Sequence, residues 1–288
     1  MPEQPPTHRH AYLVLAHEDV DMLNILTNRL VNTGFVYIHI DRKSPIAIEQ
    51  VVKHPKVKVT KQIKVNWGGF SIVEATCLLA DQALSDDSTR LTLLSGVSYP
   101  IVSDAKLKEF AESSVEYVEA VEVDLKTQTR AFRRRFTTRH FSFHLKQNLY
   151  GRIVRRISRE FWALLPKIDF NKELGDIKLV LGSQWWSVTS HTYTKAMLLL
   201  EHHKNVQSYF MKIECSDESF FGTLFHHGTK NHAVHGTTYV KWTGGGGPKS
   251  IEFADIERES RTGHFLFVRK ISSLDRQLLG AIDASQNP

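Results

Sequence analysis

Across the first 120 residues, short apolar runs alternate with stretches whose apolar residues recur every three or four positions. The runs at residues 11–17 (AYLVLAH), 35–41 (FVYIHID), 57–60 (VKVT) and 91–96 (LTLLSG) are too short for buried helices and read as strands, with a fifth expected at 115–121 (VEYVEAV). Between the first two, Met22, Leu23, Leu26 and Leu30 share one helical face, and Asp19 stands where its carboxylate can cap the first turn. A second helix is expected over residues 70–84. Strand–helix–strand repetition of this kind predicts βαβ units: an α/β fold with a mostly parallel central sheet flanked by helices.

The pattern changes at residues 125–178, which are rich in Arg, Lys and aromatics and include AFRRRFTTRHF at 131–141. No clear periodicity is evident there, so this stretch reads as a basic insertion. Order returns with KLVLGSQWWSVT (178–189), a helix over 191–203, a helix opening at Asp217, a strand around 237–242, a glycine loop and a last strand at 265–270. Without repeats or low-complexity tracts, one domain over residues 1–288 is expected.

Composition adds direction. Hydrophobic residues make up 41% of the 288 and charged residues 24%, the balance of a globular protein, and the formal charge of +6 favours acidic partners. Two cysteines, Cys77 and Cys215, exclude a disulfide-dense scaffold and a cysteine zinc site. The polar, proline-rich start and the short apolar runs offer neither a signal peptide nor a membrane span, so a cytoplasmic location is expected, with peripheral contact to the inner membrane through the basic face.

Ligands of open α/β sheets bind beyond the carboxyl ends of the strands, and those ends are polar here: His17 and Glu18, then Asp41, Arg42 and Lys43, then Trp67, Gly68 and Gly69, then Ser95, Gly96 and Ser98. Each taken singly is equally well explained as turn composition; the set is harder to dismiss. His39 and Asp41 sit at alternate positions, as metal-clamp residues do, but the adjacent Arg42 and Lys43 disfavour a divalent ion. Trp67, followed by two glycines, offers a flat surface for a base or sugar, and in GSQWWSVT the neighbours Trp185 and Trp186 would face opposite sides of a strand. Asp217 and Glu218 would occupy the first turn of an amphipathic helix, where the macrodipole favours acids with or without a catalytic role. The glycines at 244–247 suit close approach to a ligand, and Lys249, Arg269 and Lys270 are candidate phosphate contacts, although no G-x-x-x-x-G-K-[ST] sequence is present. A polyanion-binding module built on Arg133, Arg134, Arg135, Arg139, Arg152, Arg155 and Arg156 is the non-enzyme alternative.

The ordered series AYLVLAHED, VYIHIDRKS, VNWGGFSIVEA, LTLLSGVSYPI, GSQWWSVT, SDESFF, YVKW, GGPKS and LFVRK resembles the core-2/I-branching β-1,6-N-acetylglucosaminyltransferase family, which shares a superfamily with peptide O-xylosyltransferases. The resemblance covers most of the chain except residues 125–178. It implies a GT-A-like nucleotide-sugar fold and inverting transfer without a divalent metal or other cofactor. N-acetylglucosamine would move from its UDP form to a hydroxyl of a saccharide acceptor, free or lipid-linked; a UDP-xylose donor is the alternative, and nucleic acid is not an expected partner. By the same resemblance Glu218 is the catalytic base, Asp41 contacts the nucleoside, Trp67 lies near the uracil, and Lys249 and Lys270 grip the diphosphate. His17 and Gly68 join the donor side, and Trp185 and Trp242 the acceptor side. Ser98 departs from the pattern, standing where relatives commonly carry an acid.

Overall fold

A computed structural model describes residues 8–66, 68–124, 128–140, 149–162, 164–228, 235–242 and 247–286. The first half follows the expected alternation: β1 (His10–Ala16), α1 (Val20–Leu30), β2 (Phe35–Ile40), β3 (Val57–Thr60), α2 (Ser71–Ser85), β4 (Arg90–Ser95), β5 (Ser98–Pro100) and α3 (Asp104–Glu112). Then come β6 (Val121–Glu122), α4 (Arg130–Thr137), α5 (Leu149–Trp162), α6 (Phe170–Leu174), β7 (Val180–Leu181) and β8 (Ser187–Thr189). The chain continues through α7 (Ser190–His202), α8 (Lys204–Phe210), α9 (Phe220–Gly228), β9 (Thr238–Val240), α10 (Phe253–Thr262), β10 (Phe267–Arg269) and α11 (Arg276–Gln286).

The central sheet has the order β3-β2-β1-β4-β8, parallel except for the β4–β8 edge pair. A three-stranded sheet, β5-β10-β9, continues beside it. Successive side chains of a strand point to opposite faces, and both faces here are covered, which is why the strands read as unbroken apolar runs. Ala11, Leu13, Leu91 and Leu93 pack in one core with α2 and an aromatic group that includes Trp186, Phe220, Phe221 and Phe225. Tyr12, Val14, Val36 and Ile38 pack in the other with α1, α3, α10 and α11. Asp19 caps α1 as expected, its Oδ1 accepting from the Met22 amide at 3.0 Å.

Four expectations need correction. The strand at 115–121 is instead an extended segment with isolated bridge pairing, Tyr117 to Ser187, followed by the two-residue β6. The buried Glu116 explains this: it accepts from the Thr189 amide (2.8 Å), the Thr189 hydroxyl (2.7 Å) and the Thr192 hydroxyl (2.6 Å), which ties the segment to the positive start of α7. Trp185 and Trp186 precede β8 rather than lying in a strand; both are buried in the same core, and Trp185 also lines the cleft described below. Asp217 and Glu218 are not in the first turn of a helix; they form a 3-10 turn, Ser216–Glu218, introduced by Cys215 at φ 53° and separated by Ser219 from α9. The segment at 125–178 has more regularity than its sequence suggested, since α4, α5 and α6 lie within it, and α4 is anchored by the buried Phe136, whose carbonyl accepts from the Tyr209 hydroxyl (3.1 Å). Ser98 is buried, and its Oγ accepts from the Ser95 amide at 3.2 Å.

Candidate active site

Chain order and sheet order part company at β1, which runs on to β2 and β3 on one side and has β4 on the other. Such a switch point leaves a crevice beyond the carboxyl ends of the strands. A cleft of about 1340 Å³ opens there, floored by Ala16 and His17 after β1, Asp41 after β2 and Ser95 at the end of β4. Of the residues singled out from the sequence, His17, Asp41, Gly68, Trp185, Glu218 and Trp242 line it; Lys249 and Lys270 do not, and Trp67 lies outside the described residues.

Asp41 is fixed by its surroundings. Its Oδ1 accepts from the amides of Lys43 (2.9 Å) and Val65 (3.2 Å), and the Lys43 ammonium lies 3.5 Å from Oδ2. His39, two positions earlier, accepts from the Ile63 amide through Nε2 at 3.1 Å, and burial holds its pKa below the ordinary value. Both members of the suspected metal clamp are thus committed to the protein's own donors. Gly68 takes a left-handed φ of 73°, and its carbonyl accepts from the Cys215 amide at 2.9 Å, joining the loop after β3 to the turn that carries the acids.

The acid pair forms one wall. Glu218 accepts from Arg135 Nη2 at 2.7 Å. Burial pulls the Arg135 pKa down, but the bond to Glu218 and the neighbouring acids leave it above its ordinary value. Asp217 is half-buried, and desolvation, followed by the adjacent Glu218 charge, pushes its pKa up to about 7. The turn is seated by the Glu218 carbonyl, which accepts from the Gly182 amide at 2.9 Å. A Cβ on Gly182 would fall 1.7 Å from the Glu119 carbonyl oxygen, so only glycine lets these segments meet.

Of the two consecutive cations Arg269 and Lys270, Arg269 lines the cleft and Lys270 does not. Lys270 Nζ pairs with Glu18 Oε1 at 2.5 Å, and that bond is the main cause of the lowered Glu18 pKa; His17 Nε2 is 3.6 Å from the same oxygen. Arg269, one residue before, lines the cleft with its guanidinium 4.6 Å from the centre of the Trp185 ring. Burial lowers its pKa to about 10, with Glu18 acting in the opposite sense, so it remains charged at neutral pH. Lys249 is exposed, and among the described residues only its backbone is engaged, the amide donating to the Lys241 carbonyl at 3.0 Å.

Four polar atoms on the cleft lining are buried with no hydrogen-bond partner among the described residues: Asn66 Oδ1, Gln184 Nε2, Thr238 Oγ1 and Arg269 Nε. Buried polar groups are seldom left unpaired in a folded protein, so their convergence on one cavity marks where a polar ligand would complete them. The sequence does not single out Asn66 or Gln184, the place of Arg135 beside Glu218, or the leading place of Arg269. Asn66 and Gln184 each adjoin a tryptophan that was singled out, Trp67 and Trp185, and that adjacency was the signal available.

A family model described as "Branch: Core-2/I-Branching enzyme" matches residues 10–262. The chain belongs to the Core-2/I-Branching enzyme family. Membership makes it a glycosyltransferase, and the cleft at the sheet's switch point is where a family member of this architecture has room for a donor and an acceptor. No curated protein sequence matches the chain. Among solved structures, the mannose-1-phosphate geranyltransferase of Thermus thermophilus aligns over 76% of this chain and 68% of its own, at 11% identity and a TM-score of 0.33. Among the described residues, no helix is long and apolar enough to cross a membrane.

Proposed function

We propose that this family member is an inverting transferase that moves a sugar, N-acetylglucosamine from UDP-N-acetylglucosamine, onto a saccharide hydroxyl to form a β-linkage without a divalent metal. The observation that carries this reading is one cleft lined by both a carboxylate pair and Arg269, whose buried Nε has no partner among the described residues. Asp41 would hold the nucleoside, with His17, Gly68 and the unpartnered Asn66 and Gln184 around the donor. Trp185, and Trp242 at the mouth, would present the acceptor sugar with flat apolar faces.

In the reaction, the acceptor oxygen attacks the anomeric carbon from the face opposite the diphosphate. The new C–O bond forms as the bond to the β-phosphate oxygen breaks, and that electron pair leaves with UDP. Glu218 takes the hydroxyl proton, and the ion pair to Arg135 holds its carboxylate in place until the acceptor arrives. The charge gathering on the β-phosphate meets Arg269 and Lys270, fixed cations that spare the site the cost of reorganising water. Lys249 would join them only if its exposed side chain swung inward. Metal independence is supported by Asp41, whose carboxylate already serves Lys43 and two amides.

The test is Glu218→Gln in a UDP-release assay across UDP-N-acetylglucosamine, UDP-xylose and other UDP-sugars. Transfer should fall by about 10²–10⁴-fold while UDP binding persists. Wild-type turnover in the variant would overturn the base assignment, preference for UDP-xylose would overturn the sugar, and activity lost to EDTA and restored by manganese would overturn the cation assignment.

A further inference from the structure

Helix α5 is two-faced in an unusual sense. Its inward face contributes Ser158 and Trp162 to the lining of the cleft, and this fixes how the helix is rotated. On the outward face Ile153, Ile157 and Phe161, spaced by single helical turns, are 49%, 63% and 65% exposed, and Leu164 just beyond the helix is 83% exposed. The stripe cannot turn inward without withdrawing Ser158 and Trp162 from the cleft. An aligned apolar row on the surface, unlike scattered single residues, calls for something to cover it.

Charge identifies the cover. By sequence, residues 128–162 carry ten Lys or Arg against one acid, Glu160, whereas the whole chain carries only +6; the rest of the protein is therefore net negative. Glu160 is itself paired with Arg134 of α4 at 3.3 Å, which ties the two helices together, while Arg130, Arg133 and Arg156 are exposed. A second copy docking by this face would bring two strongly cationic segments together, and a nucleic acid would have no use for a row of isoleucine and phenylalanine. An amphipathic helix with large apolar side chains and a dense arginine complement suits the boundary between lipid headgroups and acyl chains.

We propose that α5 seats the protein on an anionic lipid bilayer, its apolar row entering the headgroup boundary and the exposed Arg130, Arg133 and Arg156 meeting the lipid phosphates. Because the adjoining side of the same helix, with Ser158 and Trp162, lines the cleft, that side of the site then opens beside the membrane. The acceptor class this favours is a saccharide carried on a membrane-embedded amphiphile; that last step rests on the transfer reaction proposed above, but the docking does not.

The experiment is flotation of the full-length protein, without substrates, with vesicles of phosphatidylcholine alone or of equimolar phosphatidylcholine and phosphatidylglycerol. The protein should float with the mixed vesicles and not with the neutral ones. High salt should weaken binding by about tenfold, and the Ile157→Glu/Phe161→Glu double variant by about tenfold or more. The milder Ile157→Ser variant should weaken it less, and unfolding temperatures identical to wild type certify that all variants are folded. Failure to float with anionic vesicles, equal flotation with neutral ones, or unchanged binding by a folded double variant would each overturn the proposal. So would a wild-type dimer in lipid-free solution that the double variant converts to monomer, since the row would then be an interface between copies. These outcomes are read without turnover, so they stand apart from success or failure of the transferase assay.

Discussion

Helices α1 and α5 carry nearly the same pattern and do opposite things with it. In α1, Met22, Leu23, Leu26 and Leu30 are spaced to form one face, and all four are fully buried against the parallel sheet. In α5, Ile153, Ile157 and Phe161 form a similar row and look outward, while the inward face is given to the cleft. The periodicity of a sequence says that a face exists; what lies opposite decides where it goes. For α1 the opposite element is an adjoining strand of the same βαβ unit. For α5 it lies outside the chain.

Stability separates the two helices most sharply. Leu26→Ala should cost about 2–5 kcal/mol in chemical denaturation, because it leaves a cavity against the sheet, whereas Ile157→Ala should move stability by no more than about 0.5 kcal/mol. A large loss at Ile157 would mean that its face is packed after all. The next largest effect concerns Asp217, whose folded pKa of about 7 lies above that of the unfolded chain. From about pH 4 to pH 7 the unfolded chain gives up this proton while the folded one keeps it, so the group makes folding less favourable as pH rises. Asp217→Asn should remove that slope and raise stability at pH 8 by on the order of 2 kcal/mol, checked by urea titration at pH 5 and pH 8. Equal gains at both pH values would show that the carboxylate is not titrating there.

Arg135 tests whether the basic segment and the catalytic centre are separable. Arg135→Ala should lower kcat by about tenfold with little change in UDP affinity, since it frees Glu218 to wander rather than removing a donor contact. An unchanged kcat would leave α4 as scaffold only. The smallest effect distinguishes the two lysines: Lys270→Ala should reduce kcat/KM by about tenfold and Lys249→Ala by less than about twofold, because only the former is held near the cleft, by Glu18. Reversed magnitudes would move the diphosphate toward the glycine loop.

The parallel half was legible because its cues are local. Runs such as FVYIHI and VKVT are bounded by turn residues, and Asp19 caps α1 three residues before the amide it receives. Where long-range partners decide, legibility failed. The extended segment at 115–121 was misread because Glu116 is satisfied by the distant Thr189 and Thr192, and the acid pair was placed inside a helix because nothing local announces the left-handed Cys215. Asp41, Glu218, Trp185 and Trp242 all line one cleft. Arg269 could not be ranked above Lys249 beforehand, since what distinguishes them is burial against the Trp185 ring. The arginine run drew attention to α4 and α5 as charge, and the apolar row threaded among those arginines went unread.

The bond between the Gly68 carbonyl and the Cys215 amide has a further consequence. It couples the loop after β3 to the turn bearing Asp217 and Glu218, two segments far apart along the chain. Their alignment therefore draws on a tether worth only about 1 kcal/mol of resistance against unfolding. Wear at that tether would surface as a sluggish yet fully folded catalyst, a phenotype that thermal screens pass over and rate measurements detect.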